Sequence, residues 1–197
     1  MKMKDKIVYF LRHGETVTNA GNIYAGQSDT PLNEKGFAQA KALAPYLQHI
    51  AFDKVYCSDL QRARYTAAMA IPHMECEYTT QIREIDVGNL AGRSVAQCIE
   101  EFGEPFIQNR ARLDYSIYGG ESHEQLDARI ADFMRKLEHD DHAVIGVVCH
   151  GGVIKSVRRY IIGDCKGMSD PENCSICKVT YKDGKWTLNR WNVTVKV

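Results

Sequence analysis

The stretch Lys6-Ile7-Val8-Tyr9-Phe10-Leu11 is an almost continuous apolar run, and it stops abruptly at Arg12-His13-Gly14. A run of this kind is typical of a strand that is buried on both faces of a sheet. Three similar runs follow, at residues 52–57, 143–149 and 176–181. These segments predict a sheet built from several fully buried strands.

Helical patterns lie between these strands. Asn33 is a suitable N-cap for a helix that runs to about residue 49. Strands that alternate with helices predict an α/β fold with a mostly parallel central sheet and helices on both faces. A turn signal at Asp183-Gly184 adds an antiparallel edge hairpin. The remaining helices are predicted over residues 60–70, 121–138 and 152–162.

Composition limits the kind of partner. The 197 residues carry 25 Lys and Arg against 25 Asp and Glu, so the formal net charge is zero. This balance argues against nucleic acid or an anionic membrane as a partner, because both favour a one-signed basic surface. No window approaches the roughly 18 apolar residues of a membrane span. Length and composition predict a single domain over residues 1–197, located in the cytoplasm.

The segment at about 87–120 differs from the rest of the chain. It is rich in glycine and has one short helical pattern near residues 95–102. We expect it to form a small cap insertion over the sheet. Five of its side chains could recognise a substrate or could equally be ordinary surface residues: Arg93, Arg110, Arg112, Tyr115 and Tyr118.

Cationic and imidazole side chains follow three of the predicted strands. Arg12 and His13 come directly after the first strand, Arg62 lies on the helix after the second, and His150-Gly151 follows the strand at residues 143–149. Ligands of such sheets bind outside the carboxyl ends of the strands. Arginine side chains and helix N-termini that meet at this edge of the sheet form a cationic pocket, which suits a phosphoryl group. We call this edge the mouth of the site.

An ordered set of motifs resembles the histidine phosphatase superfamily, which includes the cofactor-dependent phosphoglycerate mutases. Its signature is matched by Arg12-His13-Gly14-Glu15-Thr16. The other matches follow in family order between residues 7 and about 181: Asn19, residues 26–36, 58–66 and 83–88, Gly120-Glu121-Ser122 and Cys149-His150-Gly151-Gly152.

The resemblance implies a role for each matched residue. His13 is the expected nucleophile, which forms a phosphohistidine, and the Gly14 turn lets the backbone hold its second ring nitrogen. Glu84 is the expected general acid and base. The resemblance implies no metal and no cofactor, because cationic groups neutralise the phosphoryl charge. The expected substrate-binding residues are Arg12, Thr16, Asn19, Gly26, Arg62, His150 and the backbone at Gly151.

Several alternatives stay open. Glu77, Asp86 and Glu121 could also reach the mouth in place of Glu84, and Glu121-Ser122 could simply start a helix. The expected activity is a metal-independent phosphomonoesterase that acts on a small phosphorylated metabolite. A phosphoglycerate mutase is the first alternative, although Val87 stands where the mutases carry a tyrosine. A non-catalytic phosphate-binding module is the second.

The seven cysteines are odd in number and scattered, which indicates reduced thiols. The pair Cys174 and Cys177 lacks the second pair that a zinc site requires, and on a strand the two would point to opposite faces. Cys57 and Cys149 are expected at strand ends beside the cationic pocket. There they would be either reactive thiols or buried packing residues.

Overall fold

The first apolar run forms an inner strand of a six-stranded sheet. In the computed structural model, which describes residues 4–164 and 167–195, β1 (Lys6–Arg12) pairs in parallel with β4 (Val144–Cys149) and antiparallel with β5 (Ile176–Lys182). Phe10 packs into the helical layer on one face of the sheet and Leu11 into the layer on the other. Both are fully buried, so the strand is covered on both faces.

The sheet is mixed, as the sequence predicts. Its order is β3-β2-β4-β1-β5-β6, with β2 at Lys54–Ser58, β3 at Cys76–Thr79 and β6 at Lys185–Val193. The first four strands are parallel, and β5 and β6 form the antiparallel edge hairpin. Its turn residues Asp183 and Gly184 have φ values of 49° and 79°, as a tight hairpin turn requires. The predicted α/β fold class is confirmed.

Helices cover both faces. Asn33 caps α2, because its side chain accepts a hydrogen bond from Gly36 N at 2.8 Å. The helices α2 and α3 pack on one face of the sheet, and α5 and α6 pack on the other. None of the helices within the described ranges is long and apolar enough to cross a membrane. The helices are α1 (Val17–Ala20), α2 (Glu34–Leu47), α3 (Gln61–Ala70), α4 (Val95–Arg112), α5 (His123–His139) and α6 (Gly151–Ile162).

Three elements differ from the prediction. The helix expected over residues 95–102 continues to Arg112, with a kink at Gly103 (φ 59°, ψ −143°) after which the chain becomes helical again through Pro105. The start of α5 lies at His123 rather than residue 121, because Ser122 is its N-cap. Strand β3 was not predicted, since it is a short, half-exposed edge strand without an apolar run.

The segment expected to form a cap has a buried cluster of its own. Three 3₁₀ or α-helical pieces, Gly88–Leu90, Val95–Arg112 and Ser116–Tyr118, follow one another here. Their apolar side chains pack together rather than into the two clusters on the sheet faces. The cluster consists of Val87, Leu90, Cys98, Phe106, Tyr115 and Tyr118.

Candidate active site

The carboxyl ends of the parallel strands open into a cavity of about 240 Å³. Its walls come from the end of β1, from the helices α1, α3, α5 and α6, from the loops that precede α2, α4 and β5, and from the segment that follows α4. Most of the residues predicted for the site line this cavity: Arg12, His13, Asn19, Gly26, Arg62, Glu84 and Gly151.

His13 is held in one tautomer. Its Nδ1 lies 2.8 Å from the carbonyl oxygen of Gly14, which can only accept, so Nδ1 carries the proton. Burial, followed by the charges of Arg62 and Arg12, holds the pKa of His13 well below its usual range. The ring is therefore neutral near pH 7, and its Nε2 carries a lone pair.

Glycines allow the turn after β1 to be tight. A Cβ atom on Gly14 would lie 2.5 Å from the carbonyl oxygen of Gly36, so the two backbones approach each other closely. Gly14 N also donates to Thr66 Oγ1 at 2.9 Å, and Cys174 N donates to the carbonyl of His13 at 3.2 Å. The turn that positions the imidazole is thus anchored to α2, α3 and the start of β5.

Two arginines flank the imidazole, Arg62, which is fully buried, and Arg12, which is half-buried. Arg62 donates to the carbonyl oxygens of Ser28 at 2.9 Å and Gly26 at 2.7 Å. Arg12 donates to Pro171 O at 2.6 Å, and its Nε has no hydrogen-bond partner within the described ranges. Burial lowers the pKa of both guanidinium groups, whereas the charge of Glu84 raises it. Both side chains stay cationic, because the pKa of arginine lies far above neutral pH.

Glu84 lies in the loop between β3 and α4. Its carboxylate sits at the N-terminus of α6 and faces these cations. Gly152 N lies 3.1 Å and 3.2 Å from its two carboxylate oxygens, and Ile85 N donates to Oε1 at 2.9 Å. A Cβ atom on Gly152 would overlap Oε1, so only glycine lets the carboxylate approach the helix this closely. The helix N-terminus stabilises the negative charge there.

His150 lies behind the cavity wall. Its Nε2 is 2.8 Å from Ser58 Oγ, and its ring centroid is 5.1 Å from that of His13. The residue is fully buried, and burial, followed by the charges of Arg62 and other neighbours, lowers its pKa well below the usual range. Its Nδ1 finds no partner in the part of the chain that the structure describes.

Asn19 and Thr16 have different surroundings. Asn19 Oδ1 accepts hydrogen bonds from Thr16 N at 3.1 Å and from Asn173 Nδ2 at 3.3 Å, which leaves Asn19 Nδ2 to donate to a ligand. Thr16 caps α1 through its hydroxyl and is fully buried. It is absent from the cavity wall formed by residues 4–164 and 167–195.

The three rival carboxylates have other partners. Glu77 forms ion pairs with Lys54 at 2.7 Å and Lys136 at 3.0 Å on the surface. Asp86 accepts a hydrogen bond from the nearby backbone of Gly88. Glu121 pairs with Arg129, as described next, so Glu84 is the one of these four that lines the cavity.

Arg129 on α5 fixes the segment that carries Glu84. Its guanidinium donates to the carbonyl oxygens of Gln81 at 2.8 Å and Arg83 at 2.9 Å, and it contacts both carboxylate oxygens of Glu121 at 3.1 and 2.8 Å. Glu121 in turn accepts from Asp86 N at 2.9 Å. Sequence reasoning missed Arg129, because an arginine on an amphipathic helix is usually a solvated surface charge.

The five cap side chains that could recognise a substrate have different surroundings. Tyr115 lines the cavity, and Arg110 donates to the hydroxyl of Tyr24, which also lines it. Tyr118 is buried in the cap cluster. Arg93 is ion-paired with Glu101, and Arg112 is exposed.

The four cysteines that the sequence analysis singles out are buried packing residues. Cys57 and Cys149 are fully buried, and the pKa of both thiols is raised well above the usual range, with burial as the first cause for Cys149 and a hydrogen bond with Cys76 for Cys57. Cys174 and Cys177 belong to clusters on opposite faces of the sheet, but only Cys177 lies on β5, since Cys174 precedes the strand with φ 57°. A raised pKa disfavours the reactive thiolate.

Comparisons with known proteins agree with this geometry. The family model of the histidine phosphatase superfamily (branch 1) matches residues 8–194. A probable phosphoglycerate mutase GpmB of Salmonella paratyphi A is 31% identical over 194 residues, covering 94% of this chain and 90% of that protein.

Solved structures of phosphatases resemble this chain over nearly its whole length. A putative alpha-ribazole-5'-P phosphatase from Escherichia coli superposes with a TM-score of 0.85 at 25% identity, covering 98% of this chain and 100% of that one. A mycobacterial glucosyl-3-phosphoglycerate phosphatase in complex with VO3 gives 0.87 at 26% identity, covering 96% and 100%. With the family match over nearly the whole length and the predicted motifs gathered at one cavity, this chain belongs to the histidine phosphatase superfamily.

Proposed function

We propose that the protein is a phosphomonoesterase that hydrolyses a small phosphorylated metabolite through a phosphohistidine, without a metal. The observation that carries this proposal is the placement of His13, whose Nδ1 is bound to the Gly14 carbonyl and whose ring lies in one cavity with the guanidinium groups of Arg12 and Arg62. The phosphatase names of the structural relatives support it. The site residues of the sequence prediction take the following roles.

In the first step, His13 Nε2 attacks the phosphorus atom as the bond to the alcohol oxygen breaks. Arg12 and Arg62 hold the equatorial oxygens and neutralise their charge. Asn19 Nδ2 and the backbone at Gly151 add donors, and His150 supports the phosphoryl group from behind His13. Protonated Glu84 gives its proton to the leaving oxygen.

In the second step, the carboxylate of Glu84 takes a proton from water, and the hydroxide oxygen attacks the phosphorus. The P–N bond breaks, inorganic phosphate forms, and His13 regains its lone pair. Gly26 contributes by accepting a hydrogen bond from Arg62, which orients the guanidinium. The binding role of Thr16 stays a prediction, since its hydroxyl caps α1.

A mutase is the second candidate, because the sequence relatives carry that name. A mutase must retain a doubly phosphorylated intermediate, which needs free cations beyond the first phosphate. Here Lys155 is paired with Asp170 at 3.1 Å, and Arg159 is paired with Asp127 at 2.5 Å. Both cations line the cavity, and so does Asp170, whose carboxylate would repel a second phosphate.

Two assays separate the candidates. We expect hydrolysis of p-nitrophenyl phosphate that continues in the presence of a chelator. Conversion of 3-phosphoglycerate to 2-phosphoglycerate, primed with the bisphosphate, should be much slower than this hydrolysis. Faster isomerisation than hydrolysis would favour the mutase. Binding of inorganic phosphate without any turnover would instead favour the non-catalytic module.

Arg129→Met tests how Glu84 is held. Losing the bonds to the carbonyls of Gln81 and Arg83 should let the segment shift, and misplacement by about 1 Å can cost about 10²-fold in rate. We expect the first-turnover rate with an alkyl phosphate to fall more than the first-turnover rate with p-nitrophenyl phosphate, because only the alkyl leaving group needs the proton of Glu84. The matched control is Arg135→Met, because Arg135 lies exposed on the same helix and pairs with exposed Asp132. Equal losses in the first turnover of both substrates would contradict a role in positioning the acid.

A further inference from the structure

We propose that Leu113 is a specificity-determining residue and that the substrate's alcohol carries an apolar or aromatic surface next to the phosphate. The inference rests on the proposed phosphatase function and names the substrate class for that site. Leu113 lines the cavity that holds His13, and it also lines the groove that continues outward from it.

The backbone of Leu113 is in an unfavourable conformation. With φ 53° and ψ 41°, it occupies the left-handed region at the C-terminal end of α4. Glycine, or sometimes asparagine, is the usual residue at this point of a helix, because a Cβ atom is strained there. Bulky residues held in such conformations concentrate at ligand sites, where the side chain is needed.

Packing does not explain the leucine. Leu113 is only half-buried, and it belongs to none of the three hydrophobic clusters formed by the described residues. The neighbouring Tyr115, by contrast, is buried in the cap cluster. Leu113 is therefore strained, lies outside the hydrophobic clusters and lines the cavity. We infer that its side chain contacts a bound ligand.

Several apolar side chains share the cavity with Leu113. Ile23, Tyr24, Val87 and Tyr115 line the same cavity. The Tyr24 and Tyr115 rings meet edge to face, with centroids 5.7 Å apart. The Tyr24 hydroxyl accepts a hydrogen bond from Arg110 Nε at 3.1 Å, so the apolar surface lies in the inner cavity, whereas the adjoining groove also carries Arg110 and Asn22.

The cations of α6 that line the cavity, Lys155 and Arg159, are both paired with carboxylates. Lys155 and Asp170 line the cavity together and neutralise each other across 3.1 Å. A substrate with a second anionic group would face the Asp170 carboxylate. A substrate with an apolar group beside its phosphate would bury that group against Leu113 and the tyrosines.

Two esters with chains of equal length test this inference: n-heptyl phosphate and 2-(2-methoxyethoxy)ethyl phosphate. The ether oxygens of the second ester would lose hydration against the apolar wall without gaining a donor. We expect the wild type to prefer the heptyl ester by about tenfold or more in kcat/KM. In Leu113→Gly this preference should fall toward unity, whereas Tm should stay level or rise because glycine relieves the strain.

Further variants keep the test decisive. Leu113→Asn retains a side chain of similar length, tolerates the left-handed conformation and removes the apolar surface, so it should also lose the preference. Asp183→Gly is the matched control, because Asp183 has φ 49° in an exposed turn outside the cavity and should leave the preference unchanged.

The outcomes distinguish the two proposals. Equal kcat/KM for both esters in a wild type that hydrolyses p-nitrophenyl phosphate would overturn the inference and leave the phosphatase proposal standing. An unaltered preference in both Leu113 variants, or a lower Tm together with equal losses on both esters, would also overturn it. A wild type that hydrolyses no phosphate ester would overturn both.

Discussion

Replacement of His13 by alanine is expected to lower the rate of p-nitrophenyl phosphate hydrolysis by on the order of 10⁴–10⁶-fold, because the variant has no atom that can accept the phosphoryl group. The loss should be as large in mildly acidic as in neutral buffer. Burial and the charges of Arg62 and Arg12 lower the pKa of His13, so the wild-type imidazole stays neutral as the pH falls below its ordinary value. Steady-state rates of both proteins measure the effect.

Rapid quenching identifies the intermediate directly. Wild-type enzyme mixed with labelled substrate should yield an acid-labile, base-stable phosphoryl adduct, and His13→Ala should yield none. His49→Ala is the control, since His49 is an exposed histidine outside the cavity. Full activity in His13→Ala would falsify the nucleophile assignment. Abolition of wild-type activity by a chelator would contradict the metal-independent mechanism.

The fold could be predicted because its strands carry a strong local signal. In β1, neighbouring residues Phe10 and Leu11 are both fully buried on opposite faces, and only a strand covered by two helical layers explains such a run. The hairpin at Asp183-Gly184 was predictable for the same local reason. Strand β3 has no such signal, because its pairing with β2 depends on backbone hydrogen bonds at a half-exposed edge.

The site was predictable where residues follow strand ends. Arg12, His13 and Arg62 come together because the strands that precede them or their helices are parallel and end at the same edge. Arg129 and Leu113 could not be found in this way. The first acts through hydrogen bonds to backbone 46 and 48 residues distant in sequence, and the second is marked only by its φ angle.

The structure also changes how two predicted residues are understood. Thr16 and His150 belong to the matched motifs, yet neither lines the cavity formed by the described residues. Thr16 fixes α1, which places Asn19 at the cavity, and His150 packs behind His13. A motif therefore identifies residues that are needed together, whereas only the geometry separates those that contact a ligand from those that support the contact.

Replacement of Glu84 by glutamine should slow hydrolysis of an alkyl phosphate by about 10²–10⁴-fold, because an alkoxide leaves only with a proton. Glutamine keeps a carbonyl oxygen that can accept from Gly152 N or Ile85 N, so the local fold should persist. p-Nitrophenolate leaves without a proton, so the first turnover of p-nitrophenyl phosphate should remain fast in the variant. Stopped-flow absorbance at the nitrophenolate band measures that first turnover.

Hydrolysis of the phosphohistidine, the second step of the proposed reaction, gives a further test of Glu84. Glu84 is also the proposed base for the attacking water, so the variant should release one equivalent of nitrophenolate per active site and then turn over slowly. Phosphohistidine should accumulate during the slow phase, where rapid quenching can detect it. Glu77→Gln is the matched control, because Glu77 pairs with Lys54 and Lys136 on the surface and should show wild-type kinetics. An equal slowing of both substrates in the first turnover, with no burst, would mean that the carboxylate orders the arginines rather than transferring protons, since its charge also faces Arg12 and Arg62.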